Sequence, residues 1–230
     1  MYTGLIASVV IFDDDLLRNI KGIRESQALF DDLSDNADDH TVACAAECRD
    51  TLPTDQGLVT RPFDYGMAIT YPFILSNWQR TRFSDGNSYG VWYGSLDLET
   101  TIYESVYHWR RFVLDSFPSE VGDIVTDRRV VKAGCQGILV SLLDKEIDFP
   151  ALIAPDDYTF TNALGAYMKK QNQNGLLVRS ARCQGTNAAL FTPSVFSNAR
   201  DHCFLTYTFS PLTNGPVRVE REPGKLLMVV

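Results

Sequence analysis

The stretch QRTRFSDGNSYGVWYGSLDLETTIYESVYHWRR occupies residues 79–111, and its pattern changes twice. A loop rich in Gly, Asp, Asn and Ser leads into residues 90–95 (GVWYGS), whose β-branched and aromatic side chains are typical of a strand. Asp97 then offers an N-cap for a helix over residues 98–114. A strand followed directly by a capped helix predicts a domain that mixes both kinds of element.

The predicted helix has one apolar face, formed by Ile102, Val106, Trp109 and Val113. Glu104 lies about 200° around the helix axis from Ile102, so its carboxylate faces away from the predicted core. On a helix alone, such a glutamate is most often solvated or ion-paired. Whether Glu104 has a functional role must therefore be judged from other residues of the chain.

Outside this stretch, short predicted strands alternate with single helices. Strands are predicted at 68–75, on both sides of a turn at Gly134, and at 175–180, 203–210 and 217–230. A helix is predicted from Tyr158 to Lys170, with Asp156 or Asp157 as its cap. Many strands and few helices favour an α+β fold over a doubly wound parallel sheet.

Residues 1–64 are predicted to form a separate, acidic and mainly helical extension. Apolar residues recur at roughly helical spacing over residues 12–39, namely Leu16, Ile20, Ile23, Leu29 and Phe30. The breakers Pro53, Gly57 and Pro62 follow, which marks a join. The predicted domains are therefore the extension at 1–64 and a main domain at 65–230.

The charge distribution disfavours nucleic acid as a partner. The net charge is −8; residues 1–75 hold 13 acidic and 5 basic residues, and the rest of the chain holds 16 of each. An acidic or neutral surface gains no affinity from counterion release on a phosphate backbone. The apolar run at 5–12 is far shorter than the roughly 20 residues that cross a bilayer. With five scattered cysteines and no signal-like opening, a cytoplasmic location is predicted.

Several common catalytic motifs are absent from the sequence. No GxGxxG follows a strand, and GxxxxGK[ST], GxSxG and HExxH do not occur, which disfavours Rossmann oxidoreductases, P-loop NTPases, common serine hydrolases and zincins. His40, Cys44 and Cys48 are spaced four residues apart, but a structural zinc site needs four ligands. No metal is predicted.

A set of residues in order provides a more specific signal. Arg82 with Phe83 and Gly86 is followed by Tyr93 and Glu104, at steps of eleven residues. The later segment NGLLVRSARCQGTNAALF (174–191) supplies Ser180 and Asn187. Together these resemble the RES-domain family, the toxins of a class of bacterial toxin–antitoxin modules, from about residue 69 onward. The family more often has Asn at the position of Ser84.

The resemblance implies an ADP-ribosyltransferase-like core, with two small β-sheets and flanking helices around a cleft for NAD. It implies cleavage of the nicotinamide–ribose bond of NAD+, by hydrolysis or phosphorolysis, with NAD as substrate. Two alternatives stay open, an ADP-ribosyltransferase with a specific target macromolecule and a catalytically silent binding module.

The resemblance also implies residue roles. Glu104 would stabilise positive charge on the ribose, and Arg82 would clamp the pyrophosphate, with Arg80 as the alternative. Tyr93 would pack its aromatic ring against the nicotinamide ring. Ser180 and Asn187 would donate hydrogen bonds to the ribose or to Glu104. The predicted catalytic set is Glu104, Arg82, Tyr93 and Ser180, and the predicted NAD-binding set is Arg82, Arg80, Tyr93, Ser180 and Asn187.

Toxins of this kind are expected to be neutralised by an Xre-type antitoxin that blocks the cleft. The acidic segment at 1–64 has three open interpretations, a lid, an oligomerisation surface and a docking site for a partner. A homo-oligomer is among the alternatives.

Overall fold

The computed structural model describes Tyr2, residues 4–22 and residues 65–230. These residues form eight strands, β1 (Val9–Lys21), β2 (Trp92–Ser95), β3 (Ile124–Ser141), β4 (Gly175–Arg179), β5 (Thr186–Leu190), β6 (Phe196–Phe209), β7 (Arg218–Glu222) and β8 (Lys225–Val229). They also form three α-helices, α1 (Tyr65–Thr70), α2 (Leu98–Ser116) and α3 (Thr159–Lys170). Short 3-10 turns lie at Tyr71–Phe73, Leu75–Asn77, Pro150–Ile153 and Pro193–Val195.

The strands form one mixed sheet in the order β1-β2-β5-β4-β3-β6-β7-β8, and β1 also pairs with β3. That additional pairing closes five strands, β1, β2, β5, β4 and β3, into a ring. The long strand β3 belongs both to the ring and to the antiparallel sheet with β6, β7 and β8. The α+β class is therefore confirmed, and the two predicted sheets share β3 and are continuous.

Three apolar clusters fill the interior. One lies between α3 and the ring strands and includes Phe83, Leu164 and Phe191. A second is covered by α2, and a third lies around Trp92 and Leu16. Burial of apolar side chains such as these supplies most of the favourable free energy of folding.

Helix α2 forms as its sequence predicts. Asp97 caps it, with Oδ1 accepting a hydrogen bond from the Thr100 backbone nitrogen over 2.7 Å. Ile102, Val106 and Val113 are buried against the sheet. Because the apolar face is fixed in this way, the opposite face, which carries Glu104, is turned toward the cleft described below.

The helix predicted over residues 12–39 is wrong where the structure describes the chain, because Val9–Lys21 is strand β1. The strand pairs with β3 at every position from Val9↔Val140 to Lys21↔Arg128. The apolar residues Phe12, Leu16 and Ile20 recur every four residues, a spacing that also fits the two-residue period of a strand. Residues 23–64 lie outside the described residues, so the boundary at 64/65 stays a prediction.

Two other sequence predictions need correction. The sequence predicts a strand over residues 68–75, but in the structure they end α1 and form 3-10 turns. Pro72 has no backbone N–H to donate to a sheet, which explains the difference. The turn predicted at Gly134 is absent, because β3 continues through this residue. A Cβ at Gly134 would lie 2.8 Å from Ser197 Oγ, so glycine allows β3 and β6 to pack closely where their register shifts.

Candidate active site

A cleft of about 710 Å³ opens between α2, β1, β2 and the loop that precedes β2. That volume is within the ~300–1,000 Å³ that is usual for small-molecule sites. Five of the six residues singled out from the sequence line it: Arg80, Arg82, Tyr93, Glu104 and Asn187. The sixth, Ser180, is buried at the end of β4 and contacts Glu104.

The carboxylate of Glu104 is held by two neutral donors. Ser180 Oγ and Asn187 Nδ2 each donate to Oε1 over 2.6 Å. Among the described residues, none donates to Oε2. One oxygen is thus fixed by the protein, while the other is left to interact with a molecule in the cleft.

The sheet register explains why these groups meet. Asn187 on β5 pairs with Ser95 on β2 and with Val178 on β4. Ser95 Oγ donates to Asn187 Oδ1 over 2.7 Å, and this bond turns the amide so that Nδ2 faces Glu104. Ser95 and Asn187 are both buried, so the bond between their side chains is shielded from competing water.

Ser180 is oriented by its own turn. Its backbone nitrogen donates to Gly185 O over 2.8 Å, and its hydroxyl oxygen accepts from the Arg182 backbone nitrogen over 3.0 Å. Because the hydroxyl already accepts that bond, its proton is directed to Glu104. Arg182 in turn donates from Nη2 to Pro155 O over 2.6 Å, which ties this turn to the 150s loop.

Arg82 extends from the loop before β2 and is half-buried. Its Nη1 donates to Ala154 O over 2.8 Å, and its guanidinium carbon lies 4.7 Å from the centre of the Tyr158 ring. Within the described ranges, Nε and Nη2 donate to no protein group, so one edge of the guanidinium fork is available to an anion. Arg80 also lines the cleft and is exposed.

The Arg82 loop is shaped by local hydrogen bonds. Ser84 is buried; its hydroxyl donates to Tyr89 O over 2.6 Å and accepts from the Gly86 nitrogen over 3.1 Å. Gly86 has a φ of 79°, and a Cβ there would overlap the Arg80 backbone. From α3, Asn162 Nδ2 donates to the carbonyls of Thr81 and Arg82 over 2.7 and 2.9 Å.

Tyr93 forms an aromatic wall beside Arg82 and Glu104. Its ring stacks on Phe83 with 6.4 Å between centroids and 23° between planes. The hydroxyl is buried and has no hydrogen-bond partner in the described part of the chain. Burial raises the pKa of this phenol well above its usual range, so it is a neutral donor at physiological pH.

Several cleft residues escaped the sequence analysis. Arg18, Asn19 and Lys21 reach the cleft from β1, a segment whose sequence predicts a helix within the extension at 1–64. Tyr158 and His108 also line it. Partial desolvation and the nearby arginines lower the pKa of His108, against the opposing effect of the Glu104 carboxylate. No motif marks these positions; only the folded topology brings them to the cleft.

In residues 4–22 and 65–230, no cluster of three or more His, Cys, Asp or Glu side chains is placed to hold a metal ion. His40, Cys44 and Cys48 lie outside the described residues. None of the helices that the structure describes has the length and apolarity of a membrane span.

Comparison with known proteins gives two matches of different kinds. Among solved structures, the chain is similar to a chain in the crystal structure of the M. tuberculosis MbcT–MbcA toxin–antitoxin complex, with a TM-score of 0.44 and 8% identity. That similarity covers 91% of this chain and 93% of the other. No curated protein matches. The family model of the RES domain matches residues 51–210, which is most of the chain, and the protein therefore belongs to the RES-domain family.

Proposed function

We propose that this protein is a RES-type toxin that cleaves the nicotinamide–ribose bond of NAD+, by hydrolysis or phosphorolysis, and so depletes NAD. The observation that carries the proposal is the carboxylate of Glu104, which Ser180 and Asn187 hold by one oxygen at the edge of the cleft. Arg82 and Tyr93 line the same cleft, and these are the residue types that the resemblance to RES domains assigns to NAD.

The chemistry needs little from the protein beyond charge and position. When the bond between the ribose C1′ and the nicotinamide nitrogen breaks, its electron pair stays on that nitrogen, and neutral nicotinamide leaves. Positive charge then develops on the ribose, and a fixed carboxylate nearby stabilises it more in the transition state than in the ground state. Water or phosphate forms the new bond to C1′, and a water nucleophile releases its proton to solvent.

Each neighbouring residue has a definite task in this proposal. The open edge of the Arg82 fork would bind the pyrophosphate in a bidentate manner, with Arg80 as a second cation at the mouth. Tyr93 would pack against the nicotinamide ring and hold the bond to be broken near Glu104. Its hydroxyl, which has no partner among the described residues, would donate to the substrate.

The test is nicotinamide release from NAD+ by the purified chain, with and without phosphate, for wild type and Glu104→Gln. We expect the substitution to lower the rate by about 10²–10⁴-fold while the protein stays folded, because Glu104 is outside the core. Glu99→Gln is the matched control, since Glu99 lies on the same helix and is exposed. Phosphate stimulation would select phosphorolysis over hydrolysis, and equal rates in wild type and Glu104→Gln would refute the proposal.

An antitoxin partner of the Xre type and a cytoplasmic location are part of the same proposal, and both rest on the family. The antitoxin would block the cleft and prevent NAD from entering. A purified antitoxin that binds this protein should therefore inhibit nicotinamide release in a one-to-one titration. Full activity at saturating antitoxin would contradict this part of the proposal.

A further inference from the structure

Arg82 and Glu104, the two charged groups on which the proposed function depends, come from different segments of the chain. Arg82 lies in the loop before β2, and Glu104 lies on α2. Within the described residues, no hydrogen bond or ion pair joins their side chains directly. A molecule that contacts both groups needs a fixed distance between them, and other contacts have to set that distance.

Three consecutive residues, Ala154, Pro155 and Asp156, connect the segments around the cleft, and we call them the junction. Arg82 Nη1 donates to Ala154 O over 2.8 Å. Arg182, in the turn after β4, donates from Nη2 to Pro155 O over 2.6 Å. The first two residues of the junction are thus held by two different segments of the chain.

Asp156 ties the junction to α2. Its Oδ1 atom accepts hydrogen bonds from Tyr107 OH over 2.5 Å and from Arg111 Nη1 over 2.6 Å. Tyr107 lies three residues after Glu104 on the same helix, and the guanidinium of Arg182 lies over its ring, 3.3 Å from the ring centre. The helix that carries Glu104 is thereby bonded directly to the junction.

The backbone of the junction is stiff enough to transmit this constraint. The ring of Pro155 fixes its own φ, and a residue that precedes proline is confined mostly to extended conformations. Ala154 has a ψ of 131°, within the range that this restriction favours. A contact that holds the Asp156 side chain therefore also restricts the Ala154 carbonyl, to which Arg82 donates.

Stability does not account for these contacts. The side chains of Asp156 and Arg111 are each 59% exposed. Exposed ion pairs contribute little to the free energy of folding, because water and salt screen their charges. What the contacts fix is geometry, since they join the Arg82 loop, α2 and the turn after β4 at one point.

We propose that Asp156 is a positioning residue, which sets the place of Arg82 relative to Glu104 by tying the junction to α2. Asp156 is not among the residues that line the cleft, so it acts through Arg82 and not on a bound molecule. Its effect on NAD turnover rests on the proposed function, but its effect on the Arg82 side chain does not.

The first experiment measures the motion of the Arg82 side chain in the full chain, without any ligand. The Nε–H resonance of Arg82 is identified in the NMR spectrum of 15N-labelled protein by its absence from Arg82→Met. We expect the order parameter of this group to fall in Asp156→Ala, from about the 0.85 of a rigid group to below about 0.6. An unchanged order parameter in folded Asp156→Ala would overturn the proposal.

Asp148→Ala is the matched control, because Asp148 is an exposed aspartate in the same connection between β3 and α3 and lies outside the cleft. The order parameter of Arg82 should not change in this variant. If Asp156→Ala does not fold, Tyr107→Phe and Arg111→Met each remove one of the two bonds to Asp156, and the same loss of order is expected in both.

The second experiment measures kcat and KM for nicotinamide release. In Asp156→Ala we expect KM for NAD to rise by about tenfold with a smaller fall in kcat, because the Arg82 guanidinium is no longer held for its substrate. Asp156→Asn, which keeps an oxygen acceptor at this position, should recover part of that affinity.

The same substitution should have no further effect on kcat/KM in an Arg82→Met background, because the residue that Asp156 positions is then already gone. A merely structural role for Asp156 would lower kcat/KM by the same factor in both backgrounds. Additive losses of that kind would overturn the proposal.

The two experiments separate this proposal from the proposed function. Loss of Arg82 order in Asp156→Ala, in a protein that releases no nicotinamide, would support the positioning role and contradict NAD cleavage. Nicotinamide release that depends on Glu104, with Arg82 order and KM unchanged in Asp156→Ala, would do the reverse.

Discussion

Ser180 Oγ lies 2.6 Å from Oε1 of Glu104, although the two residues are 76 positions apart in the chain. One belongs to the turn after β4 and the other to helix α2, so the bond forms only when the sheet and the helix are assembled. Together with the bond from Asn187 Nδ2 to the same oxygen, it links the later segment of the RES pattern to the earlier one.

Removing the Ser180 hydroxyl should lower activity without unfolding the protein. Ser180→Ala deletes one of two donors to a carboxylate, a loss of about 1.5–3 kcal/mol, or roughly 10–100-fold in the rate of nicotinamide release. The matched control is Ser194→Ala, in the 3-10 turn Pro193–Val195 outside the cleft. Equal rates in the two variants, with equal melting temperatures, would show that this bond is dispensable.

Ser95 should act through Asn187 and not independently. Ser95→Ala removes the bond that orients the amide, so it should reduce the rate less than Asn187→Ala does. The double variant should be no slower than Asn187→Ala alone, which is the non-additivity expected of residues in one hydrogen-bond network. Additive losses in a double-mutant cycle would place Ser95 in a separate role.

Asn162 should affect substrate binding more than turnover. It does not line the cleft, but it holds the backbone of Thr81 and Arg82 through two hydrogen bonds. In Asn162→Ala we expect KM for NAD to rise by about tenfold with a smaller change in kcat, because the Arg82 fork loses its fixed position. Gln171→Ala, an exposed change at the end of the same helix, is the control. A fall in kcat at unchanged KM would argue against this role.

Stability should depend on pH through Asp201. The bond from the buried Arg129 guanidinium, 2.7 Å away, holds the pKa of this carboxyl below its usual range. A lowered pKa adds stability that is present above the ordinary aspartate value of about 4 and is lost as the pH falls through the folded value. Asp201→Asn should therefore lower the free energy of unfolding at pH 7, by about 1–3 kcal/mol.

Denaturant unfolding at pH 7 and at pH 3 measures this effect. The difference between wild type and Asp201→Asn should shrink at the lower pH, because the carboxyl of the unfolded chain is then largely protonated and must release its proton to form the bond with Arg129. The exposed Asp148→Asn serves as control. A difference that is the same at both pH values would mean that the charge of Asp201 does not stabilise the fold.

The sequence predicted elements whose determinants are local. Helix α2 has its own cap at Asp97 and its own apolar face, so both its start and the direction of Glu104 could be inferred. Strand β1 could not be inferred in this way, because Phe12, Leu16 and Ile20 are spaced four residues apart, which fits both the helical and the strand period. Only the pairing of this segment with β3 decides between the two. Within this strand, Asp15 pairs with Lys132 and Arg200 of the neighbouring strands.

The candidate site was predictable only in part for a related reason. Arg82, Tyr93, Glu104, Ser180 and Asn187 could be picked out because their order in the chain matches a family pattern. Ser95 and Asn162 contact site residues through sheet register and helix packing, which leave no mark at the level of residue spacing. Their contributions depend on contacts between segments far apart in the sequence.

The closed ring of strands has a practical consequence for shortening this protein. The family match begins at residue 51, so a chain trimmed to that boundary would lack β1. The trimmed chain would lose Leu16 and Leu17 from the interior, leave the edge of β3 unpaired and open to association with other chains, and remove one wall of the cleft. Residues 9–21 are therefore a structural requirement, and a minimal active fragment should retain them or supply them as a separate complementing peptide.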